Sequence, residues 1–155
     1  VTSAEPTPSR PADVAAGALY DAIATEHATI YGYGLVSAHA TPEMNPLVSA
    51  SIAEHRERRE AAIALLEQQQ VTPPLPAPGY RVPMRVDDPR DAAKLAVRME
   101  QDGATAWRAV VEQATATEDR TFGLTALTES AVAAARWTRI VGTAPVTVAF
   151  PGGSE

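Results

Sequence analysis

The sequence contains no cysteine, which excludes disulfides, zinc–thiolate sites, iron–sulfur clusters and thiol nucleophiles. No apolar run approaches the roughly 18 residues that a membrane-spanning helix needs. The opening stretch, VTSAEPTPSRPADVA, lacks the basic start and apolar centre of an export signal. A soluble, cytoplasmic protein is the expectation, with no membrane partner. Positive charge is also in deficit, with 13 Lys and Arg against 19 Asp and Glu and a formal charge of −6. General adhesion to nucleic acid is therefore not expected. No nucleophile triad, phosphate-cradling glycine loop or aromatic platform for single-stranded nucleic acid can be found.

What is present is helical periodicity. A chain of 155 residues has the length of a single domain and can bury roughly two thirds of its unfolded surface without a covalent staple. Residues 1–10, with Pro6, Pro8, Ser3 and Ser9, have the composition of a disordered lead. Residues 11–40 carry Leu19, Ile23, Ile30 and Val36 at helical spacing until TPEMNP interrupts them. A second periodic run, LVSASIAEHRERREAAIALLEQQ, ends before the proline-dense TPPLPAPGYRVP, because proline supplies no helical amide and restricts the residue before it. Asp88 before Pro89 is an N-cap and first-turn pair opening a third helix, and Thr115 with Glu118 predicts a capping box for a fourth that runs to about Val141. The apolar PVTVAF and the rest of 142–155 read as an extended tail docked on the bundle or on a partner.

Helices of this length are each about 30 Å long. The first and second are joined by a short connection, as are the third and fourth. The 71–88 segment, with Pro73, Pro74, Pro76, Pro78 and Pro83, is long enough when extended to run the length of a bundle. The expected fold is therefore all-α, a ferritin-like four-helix bundle over 11–141, with two helical hairpins joined by one long Pro-rich crossover. An up-down bundle with a disordered central loop is the alternative.

Alternating steps of four and three trace the inner seams. They pass through Leu19, Ile23, Glu26, Ile30 and Tyr33 on the first helix, and Val48, Ile52, His55, Arg59, Ala62 and Leu66 on the second. The third seam is Ala93, Val97, Glu100, Ala104, Trp107 and Val111, and the most apolar fourth is Leu124, Leu127, Ala131, Ala134, Thr138 and Val141. Glu26, His55 and Glu100 are thus inward candidates from three helices. Dinuclear ferritin-like sites take a Glu from each of two helices and a Glu-x-x-His pair from each of the other two. Here Ile52 stands where the pair on the second helix needs Glu, and Val132 where the fourth helix needs His. What remains suffices for one metal ion with water in its open positions, or for an interior polar network of Glu26, His55, Arg59, Glu100 and Tyr33. Pairing is the usual way interior charge is tolerated.

Other features have blander readings. HRERRE offers Arg56, Arg58 and Arg59 to an acidic partner, yet Glu57 and Glu60 supply local pairs. Gly32 and Gly34 weaken a helix unless a neighbour approaches closely. His39 is placed to meet its own helix's last carbonyls. Trp107 and Trp137 are anchors of the core or an interface.

The stretches EHATIYGYG, HRERRE, PGYRVPMRV, Met99–Glu100, AARW and the terminal AFPGG occur in that order, and together they resemble an actinobacterial family of ferritin-like proteins labelled only as a domain of unknown function. The resemblance covers nearly everything beyond about residue 14. It matches the family pattern at Glu26, His27, Tyr31, Tyr33, Gly34, His55 and Arg56, then at Arg59, Tyr80, Pro83, Glu100, Trp137, Phe150 and Pro151. It implies a four-helix bundle and no established activity. The expected function is accordingly a non-catalytic protein with a degenerate metal site, acting by self-association, as a dimer, or by partner binding, with Trp137 and Phe150 at the interface. No cofactor is expected. The alternative is a metal-binding protein or metal-dependent oxidoreductase holding one iron or manganese ion on Glu26, His55 and Glu100.

Overall fold

A computed structural model describes residues 8–153, and these form four helices: α1 (Val14–His39), α2 (Asn45–Gln68), α3 (Pro89–Gln113) and α4 (Thr117–Val141). Local chemistry sets several of their ends. The Asp13 carboxylate accepts the Ala16 amide at 2.8 Å to open α1, and Asp88 accepts the Asp91 amide at 2.8 Å with Pro89 in the first turn of α3. At the end of α4, Gly142 adopts the left-handed conformation (φ 81°) and its amide returns to the Thr138 carbonyl. The capping box expected at Thr115 does not form. Ala116 is the N-cap of α4 without a side-chain bond, and Arg120 instead donates to the Val111 and Ala114 carbonyls at the end of α3.

Side-chain pairings fix the topology. Tyr33 meets Glu100 and Glu26 meets Trp107, so α1 and α3 run antiparallel. Arg58 reaches Glu129 while Gln69 reaches Asp119, so α2 and α4 are antiparallel as well. His55 faces Glu100, and the apolar clusters place Val48 with Ala92 and Leu66 with Val110, so α2 and α3 are parallel. α2 and α3 stand diagonally across the bundle, and a connection between two parallel helices must travel its length, as the segment after α2 does. His27 Nε2 donates to the Pro74 carbonyl at 3.0 Å, the Tyr31 and Tyr80 rings lie 5.3 Å apart, and Val82, Met84 and Val86 pack against the apolar cluster that contains Tyr33 and Met99. The architecture is the two-hairpin bundle with one long crossover.

The interior divides at mid-height. One apolar cluster gathers Leu19, Ile23, Leu66, Trp107 and Val110, and the other gathers Tyr33, Val36, Val48, Leu95, Met99 and Trp137. Gly32 lets α3 approach α1, since a Cβ there would run into the Met99 sulfur, whereas Gly34 is open to solvent and has no such neighbour. The inner seam of α4 is Gly123, Ala126, Ser130, Ala133 and Trp137, and Leu124 of the expected stripe is 54% exposed. Small side chains admit α3 closely, while Leu124, Val132 and Ile140 turn outward and Leu127 and Val141 pack at the edges of the core. The expected disordered lead lies outside the described residues up to position 7, while 8–10 are held on α1 through Tyr20 to the Pro8 carbonyl and Arg10 to Asp21. The tail returns along α3, where a Cβ on Gly152 (φ 75°) would fall 2.5 Å from the Ala104 carbonyl oxygen. Among the described residues no helix is long and apolar enough to cross a membrane.

Candidate functional site: a buried ion cluster

Between the two apolar clusters lies a polar layer. Glu26 and Glu100 are 1% exposed and His55 is 2% exposed, so each needs compensation for the water it has lost. His55 supplies it through both ring nitrogens: Nδ1 lies 2.5 Å from Glu26 Oε2, and Nε2 lies 3.1 Å from Glu100 Oε1. A carboxylate only accepts, so two such contacts require two N–H donors and therefore an imidazolium. Burial opposes that charge, but the hydrogen bonds to Glu100 and Glu26 and their negative charge outweigh it and raise the His55 pKa to about 9.

Glu26 collects three donors. Besides His55, Trp107 Nε1 donates to its Oε1 at 2.7 Å, and Arg58 Nη1 donates to the same oxygen at 3.3 Å. Burial pushes the Glu26 carboxyl up, and the His55 hydrogen bond and charge, Arg58 and Trp107 together hold it below the usual carboxylate value. Arg58 Nη1 is also 3.3 Å from His55 Nδ1. As both groups are cations, this proximity reflects two donors sharing Glu26. Arg58 Nη2 reaches Glu129 at 2.9 Å, and Nη1 is 3.4 Å from Ser130 Oγ, which ties α4 to the cluster. On the other side, Tyr33 donates its hydroxyl to Glu100 Oε1 at 2.5 Å and receives the Trp137 indole N–H at 2.8 Å. Burial and the adjacent Glu100 charge push the Tyr33 phenol well above its ordinary pKa.

The expected residues Glu26, His55, Glu100 and Tyr33 thus meet in one network. Arg59 does not join it. Arg59 bonds Glu60 on the outside of α2, and Arg58 takes the inner position because the buried seam runs Val48, Ser51, His55, Arg58, Ala62. The stepping rule admits either arginine after His55, and Ile52 drew the seam toward the wrong side. The basic patch in HRERRE dissolves for the same reason, with Arg58 turned inward and Arg59 paired. Trp137, expected at an interface, is 0% exposed and belongs to the interior; Phe150 is 63% exposed. Sequence reasoning also missed the donation from Trp107 to Glu26, although a buried indole N–H usually finds an acceptor. His39 Nδ1 does meet the Leu35 carbonyl, at 3.1 Å.

Chemically the cluster holds two inner carboxylates against one imidazolium and one guanidinium, with Glu129 half-exposed at its edge. Metal ligation requires an unprotonated imidazole nitrogen. In this arrangement both nitrogens face carboxylates, so a divalent ion could be held only after His55 gives up a proton and leaves one of them. Among the described residues no three His, Asp or Glu side chains are grouped as around a metal. Among the described residues three buried side-chain atoms lack a partner: Glu100 Oε2, Arg58 Nε and His27 Nδ1.

These features define an all-α bundle with a charged, hydrogen-bonded middle layer. The chain belongs to the family of a domain of unknown function, DUF4439, whose profile matches residues 18–155. The chain is also similar to the crystal structure of a conserved hypothetical protein, rv2844, from Mycobacterium tuberculosis. Identity is 56%, the match covers 89% of this chain and 97% of that one, and the TM-score is 0.82. No match was found among proteins of curated function. The actinobacterial family resemblance read from the sequence therefore holds.

Proposed function

We propose that this protein is a non-catalytic scaffold of ferritin-like architecture, whose polar interior sets the register of four helices and whose function lies on its outer surface, in association with itself or with a protein partner. The observation that carries this reading is His55 clasped through both ring nitrogens by Glu26 and Glu100, with Arg58 sharing Glu26. The positive charge that would balance the inner carboxylates is supplied by side chains of α2. A charge-paired network of this kind can fix which helix faces meet, whereas a buried ion pair is by itself weak evidence of added stability.

Glu100 Oε2, buried without a partner, favours a second reading in which Glu26, His55 and Glu100 hold one iron or manganese ion. His55 must then release a proton and separate from one carboxylate. Elemental analysis of protein purified without chelators tests the two readings. The scaffold predicts no stoichiometric metal and a melting temperature indifferent to added iron, manganese or EDTA. One metal per chain, lost on Glu26→Ala, overturns it in favour of the second reading.

A further inference from the structure

The outer face of α4 differs from those of α2 and α3. On α2 the exposed residues include Glu54, Arg56, Glu57 and Glu60, and α3 carries the outward pairs Arg98–Asp102 and Arg108–Glu112. On α4 the only ionisable residue between Arg120 and Arg136 is Glu129, and it is tied inward to Arg58. The stripe it leaves is made of Thr121, Leu124, Thr125, Thr128 and Val132, all exposed, with Leu124 at 54% and Val132 at 46%. Charge returns only at the two ends and with opposite sign. Glu118 and Asp119 occupy the first turn, and Arg136 and Arg139 lie toward the last. Among the described residues neither arginine has an acidic partner.

We infer that this face seats a second copy of the chain, packed antiparallel about a twofold axis passing between Thr128 and Glu129. A surface with an acidic end, an uncharged middle and a basic end is complementary to itself under that rotation and under no parallel arrangement, which would set like charges together. The axis brings Glu118 of each copy to Arg139 of the other. The same rotation sets Thr125 opposite Val132, with Leu124 beside it, and threonine and alanine side chains allow the helices to come close. The opposed helix dipoles add to the fit. A helix face about 37 Å long and about 10 Å wide buries roughly 700 Å² in total over two copies, below the size of a standard stable interface, so the dimer is weak and concentration-dependent.

This inference names the partner of the self-association reading and rests on it. Sedimentation equilibrium of the full chain from micromolar to millimolar concentration tests it, with circular dichroism confirming the helix content of each variant. The wild type is expected to dimerise. Thr128→Lys, which sets two like charges at the axis, is expected to weaken the dimer about tenfold or more. Glu118→Arg and Arg139→Glu are each expected to weaken it, and the two together to restore it. A dimer that ignores these changes, or that Phe150→Ser dissociates instead, places the contact elsewhere: the inference fails and self-association stands. A monomer at every concentration overturns both.

Discussion

Glu26→Gln isolates the charge of the buried layer from its shape. The substitution keeps the volume and one carbonyl oxygen, so the Trp107 N–H, 2.7 Å from Oε1 in the wild type, retains an acceptor. What it removes is the negative charge shared by His55 and Arg58, and it sets an amide NH2 against the His55 N–H that now lies 2.5 Å from Oε2. Removing one partner from a buried ion pair costs about 3–5 kcal/mol, because the remaining charge is left uncompensated. For a domain of this length, each kcal/mol corresponds to about 2–4 °C in melting temperature, so a fall of about 6–20 °C is expected. Urea denaturation measures the free energy and calorimetry the melting temperature. Adding Arg58→Met restores the balance of one cation to one anion, so the double variant is expected to lose less than the sum of the single losses, by about 0.5–3 kcal/mol. A Glu26→Gln protein within about 0.5 kcal/mol of wild type, the range of ordinary surface changes, refutes the reasoning.

The remaining predictions concern other parts of the same structure. His55 titrates at about 9 when folded against a usual 6.5; its contribution to stability, about 3 kcal/mol, is complete below pH 6.5 and disappears as pH rises through about 9. Urea midpoints between pH 6 and 10 should follow that curve in the wild type and flatten in His55→Gln. On the acid side, the depressed Glu26 pKa makes its contribution present above pH 4.5 and lost as pH falls through the folded value. Trp137→Phe removes the indole donor to Tyr33 and should cost about 1–3 kcal/mol by denaturant titration. Gly152→Ala introduces a Cβ at φ 75° against the Ala104 carbonyl; hydrogen exchange should accelerate across the tail while the helices keep their protection.

The sequence carried the bundle plainly because each piece of it is local chemistry. Asp88 and Pro89 mark a helix start that forms as such, and the prolines after Val71 forbid a helix where the crossover runs. Glu26, His55 and Glu100 could be placed inward because each sits among apolar residues at helical spacing, and Tyr33 followed from the same step. Choosing between neighbours was less legible. Arg58 and Arg59 are one residue apart and equally charged, and only the direction of the α2 seam, set by packing against α1 and α4, decides which is buried. On α4 the most apolar stripe was not the inner one. Close approach to α3 selects Gly123, Ala126 and Ser130 by size, a criterion that hydropathy does not contain. Trp137 looked like an interface anchor because its acceptor, the Tyr33 hydroxyl, lies more than a hundred positions away in the chain.

The protonation state of His55 tests the central claim most directly. Nitrogen-15 NMR of the side chain at pH 7.5, in protein labelled at histidine, reports both ring nitrogens. A charged imidazolium with both nitrogens protonated, unchanged by added manganese or zinc, is the predicted result. A neutral ring with one bare nitrogen, or a resonance that shifts or broadens stoichiometrically with metal, would contradict the account.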